Sequence, residues 1–182
     1  NLRTDIANQQ EYLDHSIWIN MSPYDVCEAR ADLFVSTGYQ IMPGMEYQNR
    51  DNTDTILQAY QSLLTSSAVL EDVAKQVKTE PRYLEELVEV TIGANQDGQL
   101  NRMLTIDVKH TTKEDAEEVL GAFLAHVDDM HDRIATSIGE HTVSIVNESV
   151  SALVNLDLAE LQRQQTEKLT TLNDSLQTKQ TE

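Results

Sequence analysis

Residues 101–127, NRMLTIDVKHTTKEDAEEVLGAFLAHV, run an alternating strand almost directly into an amphipathic helix. Met103, Thr105, Asp107 and Lys109 fall on one side of the strand, and Leu104, Ile106 and Val108 on the other, so one side is apolar. Thr111 stands three residues before Glu114, the spacing at which a hydroxyl and a carboxylate satisfy helix-start amides reciprocally. Ala116, Val119, Leu120, Phe123, Val127, Met130, Ile134 and Ile138 follow at the spacing of a single helical stripe. A one-sided strand beside a one-sided helix predicts helices layered on a sheet. The stretch reads as architecture and offers no catalytic group.

Downstream, Gly139 is placed to end that helix. Residues 141–154 alternate again through Val143, Ile145, Val150, Ala152 and Val154, a further strand. The last segment, 156–180, is a long helix with Leu158, Leu161, Leu169, Leu172 and Leu176 at coiled-coil-like spacing, a seam interrupted by Gln165. This seam is expected to pack on its own domain or on another helix or subunit. Upstream, Asn95-Gln96-Asp97-Gly98 is a turn, Val88 to Ile92 a strand, and Pro81 the start of a short helix, since proline is tolerated in a first turn. A helix is expected over 54–77, with Ser66-Ser67 loosening it midway. Residues 38–52, with Pro43-Gly44, read as a loop. Residues 29–36 read as a strand, and 11–20 as another carried by Tyr12, Ile17, Trp18 and Ile19, the two pairing as a hairpin. Residues 1–10 read as a short helix or a frayed lead-in. The expected fold is α+β: a small mixed sheet against amphipathic helices, with residues 1–155 as the domain and 156–182 as a projecting helix.

The chain has 182 residues, long enough for one sizeable core, and only 6 Gly and 3 Pro, which favours long regular elements. Thirteen Lys and Arg face 31 Asp and Glu, a net charge of −18. Such a surface repels nucleic acid and anionic lipid headgroups, and neither is expected as a partner. The lone Cys27 forms no internal disulfide and marks no redox compartment. No apolar run reaches the ~20 residues of a membrane helix, and no signal peptide is visible. A start at Asn1 and an end within a helical pattern read as a fragment of a longer protein.

One cluster has reactive side chains: Asp128, Asp129, His131 and Asp132, with His126 upstream. Carboxylates and imidazoles are metal ligands. His126 and His131 are five apart, however, rather than the i,i+4 that shares a helix face. The acids also fall where this helix faces solvent, so a solvated face is the preferred reading. Asp128, His131 and Asp132 remain the residues a metal-dependent enzyme would use. No nucleophile elbow, phosphate loop or C-x-x-C pair appears, and His110 and His141 at strand ends read as surface or capping residues. Neither a catalytic residue, a cofactor site nor a metal site is expected.

The order strand ARADLFVS, helix ILQAYQSLLTSSAVLEDVAKQV, strand LVEVTI, strand NRMLTIDV, helix TTKEDAEEVLGAFLAHV, then a strand and a long charged helix resembles the Wzz-type polysaccharide chain-length determinants. These are the polysaccharide co-polymerases, including the modulators of capsular tyrosine kinases. The family-like pieces are SSAVLEDVAKQV, RMLTIDV and EDAEEV, and the likeness runs from Ala29 to the C-terminus. It implies a non-enzymatic extracytoplasmic domain at the plasma (inner) membrane, held between two membrane helices and assembled as a homo-oligomer. Its implied partners are a membrane polysaccharide polymerase and, through other segments, a cytoplasmic tyrosine kinase. The alternative is an extracellular ligand-binding sensor domain of a membrane-anchored protein.

Overall fold

The computed structural model describes residues 1–37, 52–94 and 100–181. The elements in order are α1 (Leu2–His15), β1 (Val26–Ser36), α2 (Thr53–Leu64), α3 (Ser67–Gln76), α4 (Pro81–Glu85), β2 (Val88–Ala94), β3 (Leu100–His110), α5 (Lys113–Ser137), β4 (Thr142–Leu153) and α6 (Leu156–Thr181). The fold is α+β with a long C-terminal helix. Its sheet has the order β2-β3-β1-β4 and is antiparallel throughout rather than mixed. From β1 to β4 this is the split βαββαβ arrangement of ferredoxin-like folds, with two helices added at the ends.

Alternation decides the two faces. Ala29, Ala31, Leu33 and Val35 of β1 join Leu104, Ile106 and Val108 of β3 in one core with Ile56, Leu57, Tyr60 and Leu64 of α2 and the α5 stripe. Of that predicted stripe, Ala116 through Ile134 are buried and Ile138 is half-buried. Phe123 is fully buried, and truncating a phenylalanine in such a place costs ~3–5 kcal/mol. The opposite face of the sheet is polar, carrying Glu28, Arg30 and Asp32 of β1 beside Thr105, Asp107 and Lys109 of β3.

Several sequence expectations need correction. Residues 11–20 form no strand: α1 continues to His15 and a turn follows, so no hairpin joins them to β1. The helix expected over 54–77 is two helices, parted at Thr65-Ser66, where the Ser66 hydroxyl bonds back to the Leu63 carbonyl. The cap of α5 is Thr112, whose hydroxyl accepts from the Asp115 amide, one residue beyond the expected Thr111–Glu114 pair. The helix ends at Ser137, with Ile138 as its cap and Gly139 one step beyond. The readings of 38–51 as a loop and of 95–98 as a turn lie outside the described residues.

The end helices lie against each other rather than on the sheet. Gln162 Nε2 donates to the carbonyls of Ile19 and Met21, and Gln9 Nε2 donates to the backbone and side-chain oxygens of Gln165. Later residues of the first segment thus meet earlier residues of α6, which makes α1 and α6 an antiparallel hairpin. A second, small cluster, Met21, Val26, Leu87 and Leu158, joins the base of this hairpin to the sheet. Glu86 adds a polar tie, accepting from the Tyr12 hydroxyl at 2.5 Å and the Ser16 hydroxyl at 2.9 Å.

Candidate functional site

The best-formed polar constellation gathers where α2, α5 and the start of β4 meet. Tyr60, on the buried stripe of α2, reaches across to His141, the residue before β4, with 2.6 Å between its hydroxyl and Nε2. The rings meet edge-on, their centroids 5.5 Å apart. His141 Nδ1 lies 2.9 Å from the Gly139 carbonyl, which can only accept. These partners fix the tautomer with its proton on Nδ1, so the Tyr60 hydroxyl is the donor to Nε2. Burial, then the charges of Asp128 and Asp132, push the Tyr60 hydroxyl up to about 12, so it keeps its proton to donate.

His131, on α5, stacks obliquely on His141 with centroids 4.6 Å apart. Its Nε2 lies 2.9 Å from the His141 carbonyl oxygen, and its Nδ1 3.0 Å from Asp132 Oδ1. The backbone bond to His141, then the bond to Asp132, raise its basicity above the ordinary histidine value, against burial. Val127, Asp128, His131, His141, Thr142 and Val143 line a cleft of about 340 Å³ here.

This geometry decides the fate of the acidic-histidine cluster. Both nitrogens of His131 are engaged within the fold. Asp132 is almost fully exposed, at 99% of its side chain, and His126 turns away to Asp72 at 2.9 Å. Asp128, Asp129 and Asp132 lie on the exposed side of α5. Among the described residues, no group of three or more His, Cys, Asp or Glu side chains is placed to hold a metal ion. His141 reads from sequence as a surface or capping residue, yet it is buried at 5% exposure. Its partner Tyr60 stands 81 residues away, and nothing local in the sequence marks the pair.

Two other places carry polar groups. On the open face of the sheet Asp32 accepts from the Thr105 hydroxyl at 2.7 Å, from Asn147 Nδ2 at 3.2 Å and from Arg30 Nε at 3.3 Å. Burial pushes its carboxyl up, but those three donors outweigh burial and hold it below the usual aspartate value. Beside it, Lys109 lies 3.4 Å from Asp107 and 3.8 Å from Glu28, whose carboxyl is raised by burial and by Asp107. Cys27, buried in β1, lies 3.7 Å from the Thr111 carbonyl oxygen.

Of the leucine seam, Leu158 is buried at 1% exposure, while Leu161, Leu169, Leu172 and Leu176 are half-buried along α6. Gln165, read as an interruption of the seam, is where α1 docks through Gln9. Among the described residues no helix is long and apolar enough to cross a membrane.

No family model and no curated protein matches the chain. Among solved structures, a hydantoinase/carbamoylase family amidase from Burkholderia ambifaria is similar at 16% identity and a TM-score of 0.35, over 78% of this chain and 32% of that one. AtUAH in complex with glyoxylate is similar at 13% identity and a TM-score of 0.32, over 82% of this chain and 32% of that one. The chain spans about a third of the length of both structures. Likenesses this distant bear on neither activity nor family.

Proposed function

We propose that this chain is a non-enzymatic scaffold: the extracytoplasmic domain of a membrane-anchored regulator of polymer chain length in bacterial surface-polysaccharide assembly. It acts as a homo-oligomer beside a membrane polysaccharide polymerase, at the plasma (inner) membrane. A cytoplasmic tyrosine kinase is engaged through other segments. The observation that supports this reading is the antiparallel hairpin of α1 and α6. Because the two helices run in opposite directions, the N-terminal end of α1 and the C-terminal end of α6 point the same way. A domain held from one side by two membrane helices needs that arrangement. The element order that resembles the chain-length determinants supplies the rest. In this reading α6 and its leucines serve packing and assembly, and no side chain performs a reaction.

The test is genetic. Deleting the gene and resolving the surface polysaccharide by size on a gel is expected to broaden or shift the length distribution, and complementation to restore it. An unchanged distribution overturns the proposal. A second reading, an extracellular ligand-binding sensor, is favoured by the His131–His141 cleft, whose volume falls at the lower end of small-ligand sites. A small ligand that raises the melting temperature of the wild-type domain, but not of a Thr142→Trp variant that fills the cleft, would select it.

A further inference from the structure

β4 is one edge of the sheet; among the described residues it pairs with β1, is touched by α5 and packs at Leu153 on the Leu158 cluster. Its start is held by the ladder to β1, with Thr142 opposite Ser36 and Val143 opposite Val35, and by a small set of groups around His141. His131 reaches over from α5 and places both ring nitrogens against acceptors: the His141 carbonyl oxygen at 2.9 Å and Asp132 Oδ1 at 3.0 Å. Neither a carbonyl nor a carboxylate has a proton to offer. The imidazolium satisfies both acceptors at once, whereas either neutral tautomer can donate to only one of them.

We propose that His131 is a proton-operated latch: its imidazolium fastens the entry of β4 to α5, and loss of its proton loosens that end of the edge strand. A hydrogen bond from a charged donor is roughly twice as strong as its neutral counterpart. On deprotonation the remaining proton is divided between Nε2 and Nδ1. The bond to the His141 carbonyl then loses its charge assistance and is present only in one tautomer. When the proton sits on Nδ1, the Nε2 lone pair faces the carbonyl lone pairs directly.

The groups facing the ring from each packed element are Asp128 and Asp132 on α5, Glu140 and His141 on the segment entering β4, and the Tyr60 hydroxyl behind His141 on α2. The acids all favour the imidazolium. The sign follows from linkage. A histidine more basic in the folded chain than in the unfolded one contributes stability present in full below about pH 6.5. That contribution is lost as pH rises through the higher folded value. The latch is closed on the acid side and opens toward neutral and alkaline pH. This inference is independent of any role in polysaccharide assembly.

The experiment follows His131 by NMR in the whole chain alongside amide exchange at Thr142 and Val143, divided by intrinsic rates and compared with Val108 in the central strand. Protection at Thr142 and Val143 is expected to fall as His131 deprotonates, by about tenfold for each unit its midpoint lies above the ordinary value. Val108 is expected to stay constant. His131→Gln, which keeps a donor for the carbonyl but cannot titrate, is expected to abolish the step. Asp132→Asn is expected to move it to lower pH. A His131 midpoint at or below the ordinary value, unchanged protection across its titration, or a step that survives in His131→Gln would each overturn the proposal.

Discussion

Tyr60 and Tyr83 are both buried tyrosines of the helical layer, yet their hydroxyls stand in opposite situations. The Tyr60 hydroxyl donates to His141 Nε2 at 2.6 Å, while the Tyr83 hydroxyl is buried with no hydrogen-bond partner among the described residues. The net worth of a hydrogen bond depends on what its removal leaves behind. Tyr60→Phe strands the imidazole nitrogen of His141 in the interior and is expected to cost ~1–3 kcal/mol. Tyr83→Phe removes a group that was desolvated without compensation and is expected to be neutral or stabilising by ~1 kcal/mol. The ring of Tyr83 stays, and with it the Arg82 guanidinium 4.5 Å from its centroid. Denaturant unfolding of the two variants beside the parent checks the contrast. Equal losses would show that ring packing, not the hydroxyl, sets both effects.

Among the elements, α6 concentrates the sequence's clearest pattern and its least obvious consequence. Leu158 sits at the joint with Met21, Val26 and Leu87, whereas Leu169, Leu172 and Leu176 are only half-covered. Stability is therefore expected to fall in a gradient. Leu158→Ala should cost ~2–5 kcal/mol, as for a fully buried leucine, and Leu172→Ala markedly less. Urea midpoints for the pair measure it, and equal losses would mean that the seam is buried evenly along α6. The strand-to-helix passage of β3 and α5 was legible because both periods are strong and local: every core residue expected from Leu104 to Ile134 is buried. The first helix was not legible. Residues 11–20 carry Tyr12, Ile17, Trp18 and Ile19, strand-formers by type, but helix α1 runs through Tyr12, and the later three belong to a turn. Two of them, Ile17 and Trp18, pack against the Leu158 cluster. The buried position in α1 is Gln9, whose partner Gln165 stands 156 residues away, so no apolar stripe advertises the helix. The same distance argument hides the Tyr60–His141 contact, although the isolated residues of the acidic-histidine cluster were plain to read. One shift was purely local: the cap falls on Thr112 because the chain has two consecutive threonines, and spacing to Glu114 favoured the wrong one.

For the whole molecule the governing quantity is the net charge of −18. Acidic side chains outnumber the cations available to pair with them. The long-range pair Arg82–Glu11 and the local Arg163–Glu160 pair are both well exposed, the kind of contact that contributes little. Self-repulsion among the remaining acids raises the free energy of the compact state relative to the expanded one. Salt acts on this term directly, because the screening length falls from about 30 Å at 0.01 M to about 3 Å at 1 M. Raising sodium chloride from ~0.01 M to ~0.5 M is therefore expected to raise the melting temperature by a few degrees, the shift that ~1 kcal/mol produces in a domain of this size. Calorimetry across the series checks the sign, and a flat or falling melting temperature would mean that favourable ion pairs balance the repulsion. The same repulsion constrains any assembly of like copies, since acid meets acid wherever two random patches approach. β4 is the exception on the surface: across Thr142–Leu153 its only charge is Glu148, and Ile145 and Val146 are half-exposed. If copies associate, sedimentation in the same salt series should show association strengthening as the acids are screened. Association carried instead by oppositely charged patches would weaken.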